Sequence, residues 1–154
     1  MVINDNTSEV VEIDTIVNFI KMASTFENWD KVISLSTSLL DSATEIIHTD
    51  KNTIQTKKKR HISYYFGYSY LMKGIAFQKL SQYLEAKECI SYYSDLSWLY
   101  DSTEESATII ADFKLFSKAN SLTIEILMGN REKTLEYVEF IKENPDQVLS
   151  GLSH

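Results

Sequence analysis

Apolar residues recur at helical spacing through most of this chain, and only short polar breaks interrupt them. The first series runs from Val10 through Ile13, Ile16, Val17 and Ile20 to Ala23, and breaks at Thr25–Asn28. The second runs from Trp29 through Val32, Leu39 and Ala43 to Ile47, and the turn chemistry of Thr49, Asp50 and Asn52 closes it. A long third helix is predicted from near Thr53 to Leu80, with Ile54, His61, Tyr65, Tyr68 and Met72 on its inward face. The fourth holds Tyr83, Ala86, Ile90, Tyr93 and Leu96, and extends toward Leu99. Asp101-Ser102-Thr103-Glu104-Glu105 has the chemistry of a helix start: a hydroxyl to cap free amides, then acids at the positive end of the dipole. The fifth helix runs from there to about Met128, and Gly129-Asn130 breaks it. The sixth holds Thr134, Leu135, Tyr137, Val138 and Ile141 and stops before Asn144-Pro145.

An all-α fold of about six helices is therefore expected, paired as three hairpins over about 10–49, 53–99 and 103–144. Composition agrees, because a chain with one proline and four glycines among 154 residues lacks the turn formers that sheets and loop-rich folds need. That length suits one domain, expected over 10–154, with residues 1–9 disordered or lying ahead of it. Gly67 and Gly74 fall inside the third helix, where glycine costs about 1 kcal/mol against alanine, so each marks a place where a neighbour packs close. Val148, Leu149 and Leu152 in the tail are enough for a further helical turn.

Paired helices raise the question of internal repeats. Three segments align around the turn inside each pair: Met22–Ile33, Phe77–Lys87 and Leu127–Leu135. Each resembles the centre of a tetratricopeptide repeat, where a small or polar turn is followed by an aromatic, two polar residues and a small one. The second matches best, with Gly74 in the small position of its first helix, Phe77 in the large one, and Tyr83 and Ala86 opening its second helix. Trp29 holds the aromatic position in the first segment, and Pro145 matches the terminal proline in the third. Arg131 departs from the pattern by replacing the aromatic. The spacing departs too: 54 residues separate Trp29 from Tyr83 and 48 separate Tyr83 from Arg131, against a standard period of about 34. Lengthened helices or long connections are expected.

A narrower resemblance covers Tyr64 to Leu152. The stretches Tyr68–Leu71, Tyr83–Lys87, Tyr93–Leu99, Phe113–Asn120, Leu127–Asn130 and Tyr137–Pro145 are similar to the C-terminal repeat region of helix-turn-helix transcription regulators from Gram-positive bacteria. Peptide-pheromone receptors share that architecture. The resemblance implies a right-handed superhelix of degenerate, long-helix repeats that binds a peptide or mediates homodimerisation and signals to an attached DNA-binding domain. Too few residues precede Val10 for such a domain, so the chain is expected to be a piece of a longer regulator. This region would then make no direct nucleic-acid contact. A stand-alone adaptor that docks a protein partner is the alternative.

The first helix of each pair lines the concave face of such a stack. Projection from the turns places Lys21, Tyr64, Tyr68, Ile75, Gln78, Lys79, Asn120 and Thr123 there. Amide groups and tyrosines suit a peptide backbone, and Lys21 and Lys79 suit a carboxylate. The rings of His61–Tyr70 cover every side of one helix, so some belong to the core and others to a surface or dimer seam.

The net charge of −7 argues against a surface that wraps nucleic acid. One basic run stands out: Lys51, Lys57, Lys58, Lys59 and Arg60, a solvated helix face or a docking patch for anions. Catalysis is not expected. His48, His61 and His154 have no histidine three or four residues away, Cys89 has no partner cysteine, and no phosphate loop or dinucleotide fingerprint occurs. No metal or cofactor is implied, and Cys89 reads as a small core residue. A lone cysteine and the lack of any long apolar run suggest the cytoplasm and no membrane contact.

Overall fold

The computed structural model describes residues 5–49 and 58–146, with side chains from residue 13 onward. Among these residues there is no strand. Six helices follow one another: α1 (Asp5–Thr25), α2 (Trp29–Thr49), α3 (Ile62–Lys79), α4 (Tyr83–Tyr93), α5 (Glu104–Leu127) and α6 (Lys133–Glu143). A single 3-10 turn, Ser97–Leu99, lies between α4 and α5. Each helix packs on the next in the chain, and α3 also packs on α5.

One device makes all three hairpins. At the end of α1, the Asn28 N–H donates to the Ala23 carbonyl at 2.9 Å and the Glu27 N–H to the Ser24 carbonyl at 2.9 Å. At the end of α3, Gln82 donates to Phe77 at 2.8 Å and Ser81 to Gln78 at 3.0 Å. At the end of α5, Asn130 donates to Glu125 at 2.9 Å and Gly129 to Ile126 at 3.0 Å. This is the Schellman arrangement, in which two main-chain bonds satisfy the last carbonyls and one residue takes a left-handed conformation. The residue is Glu27 (φ 57°), Ser81 (φ 62°) and Gly129 (φ 101°), in each case two positions before the aligned Trp29, Tyr83 and Arg131. The repeat alignment drawn on sequence therefore coincides with a repeat of backbone geometry. Long helices contribute to the long spacing between units: α2 and α5 run 21 and 24 residues.

Two boundaries differ from expectation. The third helix begins at Ile62 rather than near Thr53, because the His61 side chain caps it by accepting from the Ser63 N–H. His61 is therefore a cap and not part of an inward helix face; Ile54 lies outside the described residues. The fourth helix stops at Tyr93, and Leu96 reaches the core from the connection that follows, where it is buried.

The main core surrounds α3, whose Tyr65, Phe66, Tyr68, Leu71, Met72 and Ala76 are all buried. Such burial contributes about 1.5–3 kcal/mol per large side chain. Both glycines of α3 admit neighbours, as their interior positions suggested. A Cβ on Gly67 would lie 2.5 Å from the Phe113 ring of α5, and one on Gly74 would lie 3.1 Å from Cys89 Cβ of α4. A smaller cluster of Ala119, Leu122 and Phe140 joins α5 to α6.

Gly67→Ala should destabilise the fold by about 1–2 kcal/mol, since overpacking against a buried ring outweighs the better helix propensity; the denaturant midpoint reads it. The turns give a mirrored pair. Ser81→Gly should raise stability by about 0.5–1 kcal/mol by relieving the left-handed backbone, and Gly129→Ala should lower it by about 1 kcal/mol. The added methyl at Gly129 meets nothing within 4 Å, so that loss would come from backbone conformation alone.

Candidate functional site: an aromatic and polar seam along helix α3

The N-terminal turns of α3 carry five rings between Tyr64 and Tyr70. Three of them, Tyr65, Phe66 and Tyr68, are buried, while Tyr64 and Tyr70 are half-buried. Tyr64 stacks on Tyr68 at 5.4 Å between centroids, meets Tyr65 edge-on, and tilts against Phe113 of α5. The Arg60 guanidinium lies over the outer face of this array, 4.1 Å from the Tyr64 ring centre. Such stacked and edge-on pairs add about 0.5–1.5 kcal/mol each beyond simple burial.

Polar groups fix the array to α1. The Tyr65 hydroxyl donates to Asp14 Oδ1 at 2.6 Å and accepts from the Arg60 N–H at 3.0 Å. The second oxygen of Asp14 accepts from the Lys59 N–H at 3.1 Å. One carboxylate thus anchors the backbone of the basic run. Burial, and the bond to Asp14, raise the Tyr65 hydroxyl pKa well above its ordinary value, so it stays a donor. Asp112 of α5 is half-buried nearby; burial pushes its carboxyl upward and the Arg60 charge partly opposes this.

A second knot joins the start of α3 to the start of α5. His61 Nδ1 accepts from the Ser63 N–H, which leaves the proton on Nε2, and Nε2 donates to Asp101 Oδ2 at 2.7 Å. The His61 N–H donates to Glu105 at 3.0 Å. Asp101 Oδ1 accepts from the Thr103 N–H and hydroxyl, and Thr103 caps α5 through the Ser106 N–H. Bonds from Thr103 first, and from His61 and Ser106, hold the Asp101 carboxyl well below the usual range. Ser63, His61 and Asp101 touch in the order of a hydrolase triad, with Ser63 Oγ 2.8 Å from His61 Nδ1. Ser63 is completely buried, however, and its contacts are those of a helix start rather than an exposed nucleophile.

The expected site residues scatter over several surroundings. Tyr64 and Tyr68 are brought together, but Tyr68 has no exposed surface and so cannot form a ligand wall. Asn120 is also buried, and its amide donates to the Tyr93 hydroxyl at 2.8 Å inside the α4–α5 interface. Lys21 is exposed on α1, Gln78 is half-buried, and Ile75 packs against the main core. Lys79 is exposed with its ammonium 5.9 Å from the Trp29 ring, so those two meet across α3 and α2. The Thr123 hydroxyl donates back to the Ala119 carbonyl within α5.

Of the packing residues, Gly74 and Ala86 meet at the α3–α4 crossing, where Ala86 is fully buried. Phe77 and Tyr83 flank the turn and are half-buried, and Pro145 is exposed just after α6. Cys89 is buried in the same crossing, and burial pushes its thiol up to about 11, which suits a packing role. Sequence reading placed Asp101 at a helix start but missed its bond to His61, and it missed Asp14 and the capping role of His61. A signal for the cap was a histidine two residues before a serine at the head of an aromatic run.

Among the described residues, no group of three or more His, Cys, Asp or Glu side chains stands where it could hold a metal ion. No helix there is long and apolar enough to cross a membrane. No family model, curated protein or solved structure matches the chain.

Asp101→Asn should lower the melting temperature at pH 7. Because the folded pKa is depressed, the carboxylate's contribution is complete above the ordinary value near 3.8 and erodes as pH falls below it. The gap between variant and wild type in thermal unfolding should therefore narrow toward pH 3 (about one unit below the ordinary aspartate value).

Proposed function

We propose that this chain is a non-catalytic, tetratricopeptide-like regulatory domain that binds a peptide or protein segment. The observation that carries the reading is the threefold recurrence of one turn geometry, at Glu27, Ser81 and Gly129, in step with the repeat alignment. Repeats of this kind bury a continuous core by stacking and present an extended face for partners. The contact between α3 and α5 is in keeping with this, since the first helices of successive repeats lie side by side in a superhelix. In its fullest form the reading is a cytoplasmic, dimeric sensor region of a bacterial transcription regulator. It would couple peptide binding to a DNA-binding domain elsewhere in the full-length protein.

A stand-alone adaptor is the second reading. Lys59 and Arg60 favour it: both are exposed, and the Asp14 carboxylate fixes the Lys59 backbone at a defined position. Lys51 and Lys57 of the same run lie outside the described residues.

Native mass spectrometry, after passage of a cell extract over the protein, tests the proposal. A co-purifying peptide of a few residues is the expected result. A ligand-free monomer that neither dimerises nor retains any peptide would remove both the sensor and the dimerisation forms.

A further inference from the structure

Two residues of the face expected to bind, Tyr68 and Asn120, are buried, and an open groove lies elsewhere. Helix α5 runs antiparallel to both of its neighbours, since Glu125 pairs with Lys87 of α4 at 3.0 Å while Lys118 lies 5.7 Å from the Phe140 ring of α6. Helices α4 and α6 therefore stand on either side of α5 and point the same way. Between them is a groove of about 600 Å³ with α5 as its floor. That volume is within the roughly 300–1,000 Å³ common for small-ligand sites.

The lining divides by chemistry. Ser121 of the floor offers a hydroxyl, the hydroxyls of Ser117 and Ser94 donate back to the Lys114 and Ser91 carbonyls, and Ile90 and Leu122 offer apolar surface. At one end the charges are already matched. Glu125 accepts from Lys87 and from the Asn130 amide, and Lys133 pairs with Glu136 at 3.3 Å. Lys118 differs. Among the described residues no carboxylate pairs with it, and its ammonium rests against the Phe140 ring. The groove thus carries one uncompensated positive charge in a chain whose net charge is −7. From Ser117 to Glu125 the floor spans about 12 Å at 1.5 Å per helical residue. An extended peptide at about 3.3 Å per residue fills that with three or four residues.

We propose that the α4–α5–α6 groove binds the C-terminal end of a short peptide, with Lys118 holding its terminal carboxylate. The Ser121 hydroxyl exchanges hydrogen bonds with the peptide backbone, and Ile90 and Leu122 contact an apolar side chain. This rests on the peptide-binding reading above and moves the site from the tyrosine face of α3 to the groove.

The test is an NMR titration of the full chain with a pool of acetylated tetrapeptides bearing apolar side chains and free carboxylates. A matched pool of C-terminal amides is the control. Saturable shifts at the amides of Ser117, Ser121 and Leu122 with the acid pool are expected, with binding about three- to tenfold weaker for the amides. Lys118→Gln should weaken the acid pool by a similar factor and leave the amide pool unchanged, and Lys118→Arg should restore it. Equal binding of acids and amides in the groove would overturn the carboxylate assignment. Shifts confined to residues around Tyr64 would overturn the groove and leave the peptide-binding reading standing. No saturable shift anywhere would overturn both.

Discussion

The main core of this molecule is built on helix α3, which is packed along nearly its whole length. A helix surrounded by others is possible only where its neighbours can come close, and two glycines provide this. At Gly67 the Phe113 ring lies against bare backbone, and at Gly74 the Cβ of Cys89 does so. The first contact sets α5 beside α3, and the second sets the crossing of α3 and α4. Remove either close approach and the order of helices would survive, but their spacing would not.

Polar groups then settle which end of α3 faces what. Asp14 reaches from α1 to the Tyr65 hydroxyl and to the backbone ahead of α3. His61 and Asp101 tie the start of α3 to the start of α5. Both knots sit at the same end of the molecule, where the chain enters α3 and α5. They have the character of fastenings: donors and acceptors are matched, and the hydroxyl that would have to react, that of Ser63, is sealed in.

Much of the helix pattern was legible, and the reasons are particular. Apolar periodicity located the six helices, and the turn alignment at Trp29, Tyr83 and Arg131 fell in step with the turns observed. The turn type itself was hidden, because only Gly129 carries the expected glycine; Glu27 and Ser81 take the same conformation without it. The beginning of α3 was misplaced because its cap is a histidine, a residue with no strong capping preference. Projection from the turns put Tyr68 and Asn120 on an open face. It could not foresee that the aromatic seam closes over the first and that Tyr93 claims the second. Helical phase tells which residues share a side, and only packing tells which sides remain open.

The separate cluster beneath α6 has a consequence for how the molecule opens. Ala119, Leu122 and Phe140 form a core distinct from the one around α3, and among the described residues α6 leans chiefly on α5. In a stack of nearest neighbours, an element held by so few buried side chains can detach without disturbing the rest. Excursions of α6 would therefore cost less free energy than global unfolding, and its amides would exchange with solvent ahead of those of α3. Because α6 supplies one wall of the groove, such excursions would also widen access to it.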